Sequence, residues 1–243
     1  MKAMIMSAGK GTRLGEITRS MPKVLVDING KSLLQHAVEY CCSYGFDDII
    51  VNVHYLADMV EEEIKRINAK GFRISVSDER ELLLENGGGL YKARHFFDKN
   101  PFLVYNADIV TDLDLSLLLD LHLEKKALAT LAVRERPGSR FLLTDKDGVL
   151  RGWRNVSTGE EILKADSNEG LKSIGFSSVQ IIDPEIFSYM REGIYTVVDL
   201  YLELAVTGRI LTRRFDEGYW FNVGTPENLE NVREFLKSSR TTW

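Results

Sequence analysis

Short apolar runs and segments of helical period alternate through residues 1–133, and few folds accept that order. Runs at 3–6, 48–53, 72–76, 102–105 and 127–133 read as buried strands. Between the first two, Leu33, Leu34, Ala37, Val38, Cys41 and Cys42 recur at helical spacing and stop near Gly45. Residues 57–67, carrying Glu61, Glu62 and Glu63, read as a second, solvated helix. Nearly continuous apolar strands separated by helices predict a largely parallel sheet covered on both faces. The expected fold is therefore α/β: a Rossmann-like three-layer domain on a mostly parallel mixed sheet.

From residue 134 the pattern changes. Arg136-Pro137-Gly138 and Asp145-Lys146-Asp147-Gly148 are turn signals between short strand-like runs at 141–143 and 149–150. Residues 157–170 are polar and read as a surface loop, 172–182 as a strand, and Asp183-Pro184 as the start of a short helix. Thr196 and Asp199 bracket a capping-box start for a helix through Val206. Residues 210–215 are strand-like. Thr225-Pro226-Glu227 opens a final helix running to about Leu236, with proline at its first position. No repeat, low-complexity segment or linker interrupts the chain, so residues 1–243 are expected to form one domain.

Composition excludes several classes. No apolar run approaches a bilayer span, and the first residues lack a signal-peptide core, so no membrane contact and a cytoplasmic location are expected. A net charge of −5 argues against a nucleic-acid partner; any bound anion must be met by local bases. The two cysteines, Cys41 and Cys42, are vicinal within a helical pattern and suit a reduced protein. His36, His54, His95 and His122 show no metal spacing, and Ser7 lacks the glycine-flanked elbow of serine hydrolases.

The first strand ends in Ser7-Ala8-Gly9-Lys10-Gly11-Thr12-Arg13, with a second base, Lys23, after Pro22. Small residues after a strand let backbone N–H groups approach an anion, and the bases add charge there. The dinucleotide fingerprint fails at Leu14, and no Gly-Lys-Ser/Thr closes a Walker loop. A phosphate cradle and an ordinary turn both remain open on this segment alone. Lys10 and Arg19 are open in the same way. In 85–90, Glu-Asn-Gly-Gly-Gly-Leu, three glycines at a helix start cost about 1 kcal/mol each relative to alanine. Either something flat lies against bare backbone there or the segment is a flexible loop. Asp108, in Asn106-Ala107-Asp108 after the fourth strand, is placed to reach the crevice at the carboxyl end of a parallel sheet. It suits magnesium, which needs few protein carboxylates beside phosphate oxygens, or else caps a loop.

Taken together, Gly9-x-Gly11-Thr12-Arg13 followed by Pro22-Lys23-x-Leu25-Val26 resembles the signature of the sugar-1-phosphate nucleotidylyltransferases. Where that family usually has Arg-Pro-Leu-Thr, this chain has Gly15-Glu16-Ile17-Thr18. The resemblance implies the nucleotide-diphospho-sugar transferase fold, with residues 1–133 serving the nucleotide, and residues 134–243 serving the sugar and supplying the C-terminal helix. It implies an NTP and a sugar 1-phosphate as partners and Mg2+ as cofactor; oligomeric state is left open. Arg13 and Lys23 become the catalytic pair, for the β/γ- and α-phosphates. Ala8, Gly9, Gly11, Thr12, Glu85, Gly88 and Asn106 become nucleotide contacts, and Asn155, Gly175 and Asp199 sugar-phosphate contacts. Asp108 matches the first metal aspartate. The second, in Trp-x-Asp-x-Gly-Thr, is Asn222 here, which offers a neutral oxygen and a weaker magnesium site.

The segment at 85–90 looks most like that of the N-acetylmuramate 1-phosphate uridylyltransferases, whose junction reads Glu-Thr-Gly-Gly-Gly-Ile, and the Glu-Lys-Pro sugar motif of larger relatives is absent. UTP and an N-acetylmuramate-like sugar 1-phosphate are the favoured substrates. The alternatives are GTP with mannose or heptose 1-phosphate, as in the short mannose-1-phosphate guanylyltransferases, a non-sugar cytidylyltransferase, and a non-catalytic nucleotide-sugar sensor, which Asn222 keeps open.

Overall fold

The computed structural model describes residues 1–165 and 168–238. Its strands are β1 (Lys2–Met6), β2 (Asp27–Ile28), β3 (Lys31–Ser32), β4 (Asp48–Val53), β5 (Arg73–Asp78), β6 (Phe102–Asn106) and β7 (Ile109–Thr111). These are followed by β8 (Ala129–Arg134), β9 (Arg140–Thr144), β10 (Leu150–Asn155), β11 (Glu160–Leu163), β12 (Lys172–Ile182), β13 (Ile210–Arg214) and β14 (Trp220–Asn222). The helices are α1 (Leu33–Ser43), α2 (Ala57–Asn68), α3 (Glu85–Lys92), α4 (Leu115–Lys125), α5 (Val197–Leu204) and α6 (Pro226–Ser238).

The expected mixed sheet is present. Ten strands form it, along the path β11-β10-β9-β12-β6-β1-β4-β5, with β8 joined to β12 and β13 to β8. β1 pairs in parallel with β4 and β6, and β4 with β5, whereas every contact of β12 is antiparallel. Alternation along the central strands sends side chains to two faces. Ala3, Ile5, Ile49 and Val51 pack with α1 and α2; Met4, Ile50, Phe102 and Val104 pack with α3 and α5. Three layers result.

A third cluster closes one end. Leu14, Val26 and Ile28 from the segment after β1 pack with Val223 and with Leu229 and Val232 of α6. The final helix thereby holds the glycine turn's far side, and β14 pairs with β7 beside it.

Besides the short strands β2, β3, β7 and β14, which the sequence reading does not place, two elements depart from the expectation. Part of 157–170 is strand β11, paired with β10, although its residues are largely exposed; residues 166–167 of that segment lie outside the described residues. Helix α4 also stands where no helix is predicted. Asp114 caps it by accepting from Ser116 N at 2.9 Å, and Leu115, Leu118 and His122 face inward. The signal was there at i, i+3 and i+7, masked by leucines on the outer face.

Candidate functional site

The turn after β1 is fixed from beneath. Ser7 N donates to Oδ1 of Asn52 at 2.7 Å, and Ser7 Oγ donates to the Asn52 carbonyl. Asn52 Nδ2 in turn donates to Oε1 of Glu79 at 2.8 Å. Asn52 and Glu79 are buried at 3% and 1% exposure, and burial raises the Glu79 carboxyl above its ordinary range. A buried polar chain of this kind is stable only when its members are paired, so it locks the strand end in one geometry. The sequence signal for Asn52 was a lone amide inside an apolar strand.

The loop then turns at Gly11, whose φ of +63° suits glycine. Thr18 Oγ1 donates back to the Gly11 carbonyl at 3.0 Å. Beside it runs the Lys23 side chain, which ends 2.5 Å from Oδ2 of Asp108. The glycine turn and the carboxylate thus face one cleft, of about 480 Å³.

Most of the anticipated nucleotide residues line that cleft. Ala8, Gly9, Gly11, Thr12, Arg13, Lys23, Glu85, Asn106 and Asp108 are there, joined by Ser7, Lys10, Asn52, Asn86 and Gly224. Gly88 is not. The three glycines of α3 have another cause: they let the chain itself come close. A β-carbon on Gly87 would lie 2.6 Å from the Tyr195 ring, on Gly88 2.0 Å from the Gly193 carbonyl oxygen, and on Gly89 2.6 Å from Oε1 of Glu79. The flat object against bare backbone is Tyr195, and Gly87 N donates to its carbonyl at 3.0 Å. Glu85, at φ +58°, and Asn86 are the residues of this segment that line the cleft.

A second cleft of about 670 Å³ shares Arg13 with the first. Arg134, Arg136, Phe176, Ser178, Trp220 and Asn222 contribute to its walls. Asn222 pairs with Ile109 across the β7–β14 ladder, and Val223 N donates to the Asp108 carbonyl at 2.8 Å. Around Gly224, a β-carbon would lie 2.9 Å from Asn222 Oδ1 and 3.1 Å from Arg13 Nη2, so the amide and the guanidinium flank that glycine.

The sugar-side expectations fare unevenly. Asn155 and Asp199 line neither cleft. Asn155 is buried and accepts from Ser157 N at 3.1 Å in the turn after β10. Asp199 completes the capping box of α5, its carboxylate accepting from Thr196 N at 3.1 Å. In both places a short polar side chain serves its own backbone in this structure. Gly175 lies under the second cleft, where a β-carbon would come within 2.6 Å of Arg136 Cγ. Sequence reasoning missed Arg134 and Arg136, whose only signal was their place beside a turn.

Among the described residues no group of three or more His, Cys, Asp or Glu could hold a metal unaided. Magnesium bound partly by substrate phosphates asks less of the protein. Asp108 accepts from Lys23 through Oδ2 in the first cleft, and Asn222, paired with Ile109 next to it, brings an amide oxygen to the second. The donor set fits a hard cation held jointly with a nucleotide.

A three-layer domain with a glycine turn, three bases (Lys10, Arg13 and Lys23) and two carboxylates (Glu85 and Asp108) around one cleft has the character of a nucleotide-binding transferase. A family model described as "Nucleotidyl transferase" matches residues 2–148. The chain belongs to the sugar-1-phosphate nucleotidylyltransferases. It is 33% identical over 233 residues to an N-acetylmuramate alpha-1-phosphate uridylyltransferase of Caulobacter vibrioides, covering 93% of this chain and 92% of that one. It is 31% identical to a mannose-1-phosphate guanyltransferase of Yarrowia lipolytica, covering 94% of this chain but 62% of the longer relative. The fold matches the crystal structure of HddC from Yersinia pseudotuberculosis with a TM-score of 0.76 at 22% identity, over 97% of this chain and 99% of that one. No helix among the described residues is long and apolar enough to cross a membrane.

Proposed function

We propose that the protein joins UTP to an N-acetylmuramate-like sugar 1-phosphate, forming a UDP-sugar and pyrophosphate. The observation that carries this is the meeting of Lys23 and Asp108 in a cleft floored by the glycine turn. The choice of UTP and sugar is supported by the nearly full-length similarity to the Caulobacter enzyme. The guanyltransferase similarity makes GTP with mannose 1-phosphate the second reading.

In the proposed reaction an ionised oxygen of the sugar 1-phosphate attacks the α-phosphorus of the nucleotide. The new P–O bond forms as the bond to the bridging oxygen of the β-phosphate breaks, and pyrophosphate leaves. No general base is required, so the protein's task is in-line placement and charge neutralisation. Lys23 carries a compact charge to the α-phosphate, and Arg13, at the junction of the two clefts, offers a planar fork to the β- and γ-phosphates. Ala8, Gly9 and Gly11 present backbone to the phosphates, while Glu85 and Asn86 frame the base. Asp108 and Asn222 would hold Mg2+, which when bound offsets charge on the phosphate oxygens. In this reading residues 1–133 serve the nucleotide and residues 134–243 the sugar phosphate, in a cytoplasmic enzyme. Pyrophosphate release measured with four NTPs against a panel of sugar 1-phosphates and magnesium tests it. Turnover limited to UTP and N-acetylmuramate 1-phosphate is the expected result; tight nucleotide binding with no turnover would point to a sensor.

A further inference from the structure

Three guanidinium groups border the second cleft, and none of them has a carboxylate within salt-bridge distance among the described residues. Glu135 also lines that cleft, but it and nearby Asp216 are engaged by another base. Glu135 pairs with Arg214 at 2.9 Å, and Asp216 is also held by Arg214. Arg134 reaches only a backbone carbonyl, that of Asp216, at 3.5 Å. Arg136 reaches only the carbonyls of Pro137 and Phe176, at 3.2 and 3.3 Å. In a chain with more acids than bases, such a concentration of unpaired positive charge is out of character.

Arg136 is also built in. Its Nε is buried and has no hydrogen-bond partner. Burial lowers its guanidinium from the ordinary value with no acid nearby to oppose the shift. Its stem occupies the space that the missing side chain of Gly175 leaves open. Its guanidinium carbon stands 5.6 Å from the centre of the Trp220 ring, and that of Arg134 5.9 Å from the same ring. Trp220 is fixed in turn, its Nε1 donating to the Ser177 carbonyl at 3.0 Å. There β12 shifts register between Phe176 and Gln180, and Ser178 takes a left-handed φ of +61°. Backbone strain and a half-buried arginine are both costly unless a ligand makes use of them.

We infer that Arg134 and Arg136 read a second acidic group on the sugar, so that the preferred sugar 1-phosphate carries a carboxylate or a further phosphate besides the one that reacts. This rests on the proposed transferase reading. Arg13 and Lys23 meet the reacting phosphates at the mouth of the first cleft. Arg134, at the end of β8, and Arg136, on the loop after it, meet the substituent in the second. A planar fork on an aromatic face suits either acid, because both present two oxygens in one plane.

The test is calorimetric binding of four sugar 1-phosphates in the presence of the non-hydrolysable analogue α,β-methylene-UTP and magnesium. N-acetylmuramate 1-phosphate supplies the carboxylate and mannose 1,6-bisphosphate the second phosphate. N-acetylglucosamine 1-phosphate and mannose 1-phosphate are their counterparts without the second acid. Wild-type protein is expected to bind at least one acid-bearing sugar about 10- to 100-fold more tightly than its counterpart, the range of one charge-assisted contact. Which acid is favoured separates the two sources. Arg136→Ala is expected to erase most of that ratio. Gly175→Ala, which displaces the arginine without removing it, should erase part. Equal binding of sugars with and without the second acid by wild-type protein would overturn the inference. So would an equal loss for both in Arg136→Ala, which would assign the arginine to the reacting phosphate. Absence of turnover with UTP itself would count against the transferase reading alone, because the binding ratio is read without chemistry.

Discussion

A β-carbon added to Gly11 would lie 2.7 Å from Cβ of Lys23 and 3.3 Å from its Cδ. The turn and the lysine share one space, and only glycine leaves room for both. Gly11→Ala therefore combines a left-handed backbone, costing about 1–2 kcal/mol, with displacement of the ammonium. The expected result is a loss of turnover approaching that of Lys23→Ala, with a melting temperature lower by a few degrees. Pyrophosphate release and thermal unfolding measured together check it; wild-type turnover would show that Lys23 need not be held by the turn.

Lys23→Ala separates chemistry from binding. If the ammonium acts where charge moves in the transition state, kcat should fall about 100-fold or more, while the KM for nucleotide rises only a few-fold. Steady-state kinetics with varied nucleotide gives both numbers. Proportionate losses in kcat and in nucleotide affinity would reduce Lys23 to a ground-state contact.

Position 222 bears on the metal. Asn222→Asp restores a carboxylate beside Asp108, and it should lower the magnesium concentration that gives half-maximal rate. Titrating magnesium against rate for both proteins decides it. An unchanged midpoint would remove Asn222 from any metal site.

Far from the clefts, His122 makes the fold sensitive to acid. It is 1% exposed, and its Nδ1 lies 3.0 Å from Thr130 Oγ1. Burial pushes its pKa from 6.5 down to about 4. Its folded value is depressed, so the unfolded chain takes up the proton first and stability falls as pH drops from 6.5 toward 4. The whole effect is of order 3 kcal/mol. Urea unfolding across that window should show the decline, and His122→Gln should flatten it. Parallel curves for the two proteins would mean that the slope comes from other groups.

The sheet was legible because apolar runs and helical periods impose different spacings, and residues 1–133 keep them apart. Helix α4 escaped because Leu117 and Leu123 place leucine on its exposed side, blurring the stripe that Leu115, Leu118 and His122 mark. The residues from Gly9 to Arg13 could be grouped in advance with Lys23 only because their order resembles a family signature; the turn alone left its use open, and the structure brings them to one cleft. Gly87 and Gly88 could be flagged but not interpreted: what presses on them, Tyr195 and Gly193, comes from more than 100 residues away. Arg134, Arg136 and Trp220 meet only after β12 changes partners, and no local pattern encodes that.

The Lys23–Asp108 ion pair, its two side chains 10% and 21% exposed, also governs how firmly the cleft grips an anion. In the proposed reaction an incoming triphosphate would have to win the ammonium from a partner already in place, which would cancel part of its attraction on arrival. The same partner would reclaim the lysine once pyrophosphate formed. A site built this way trades affinity for release and keeps a highly charged leaving group from lingering as an inhibitor.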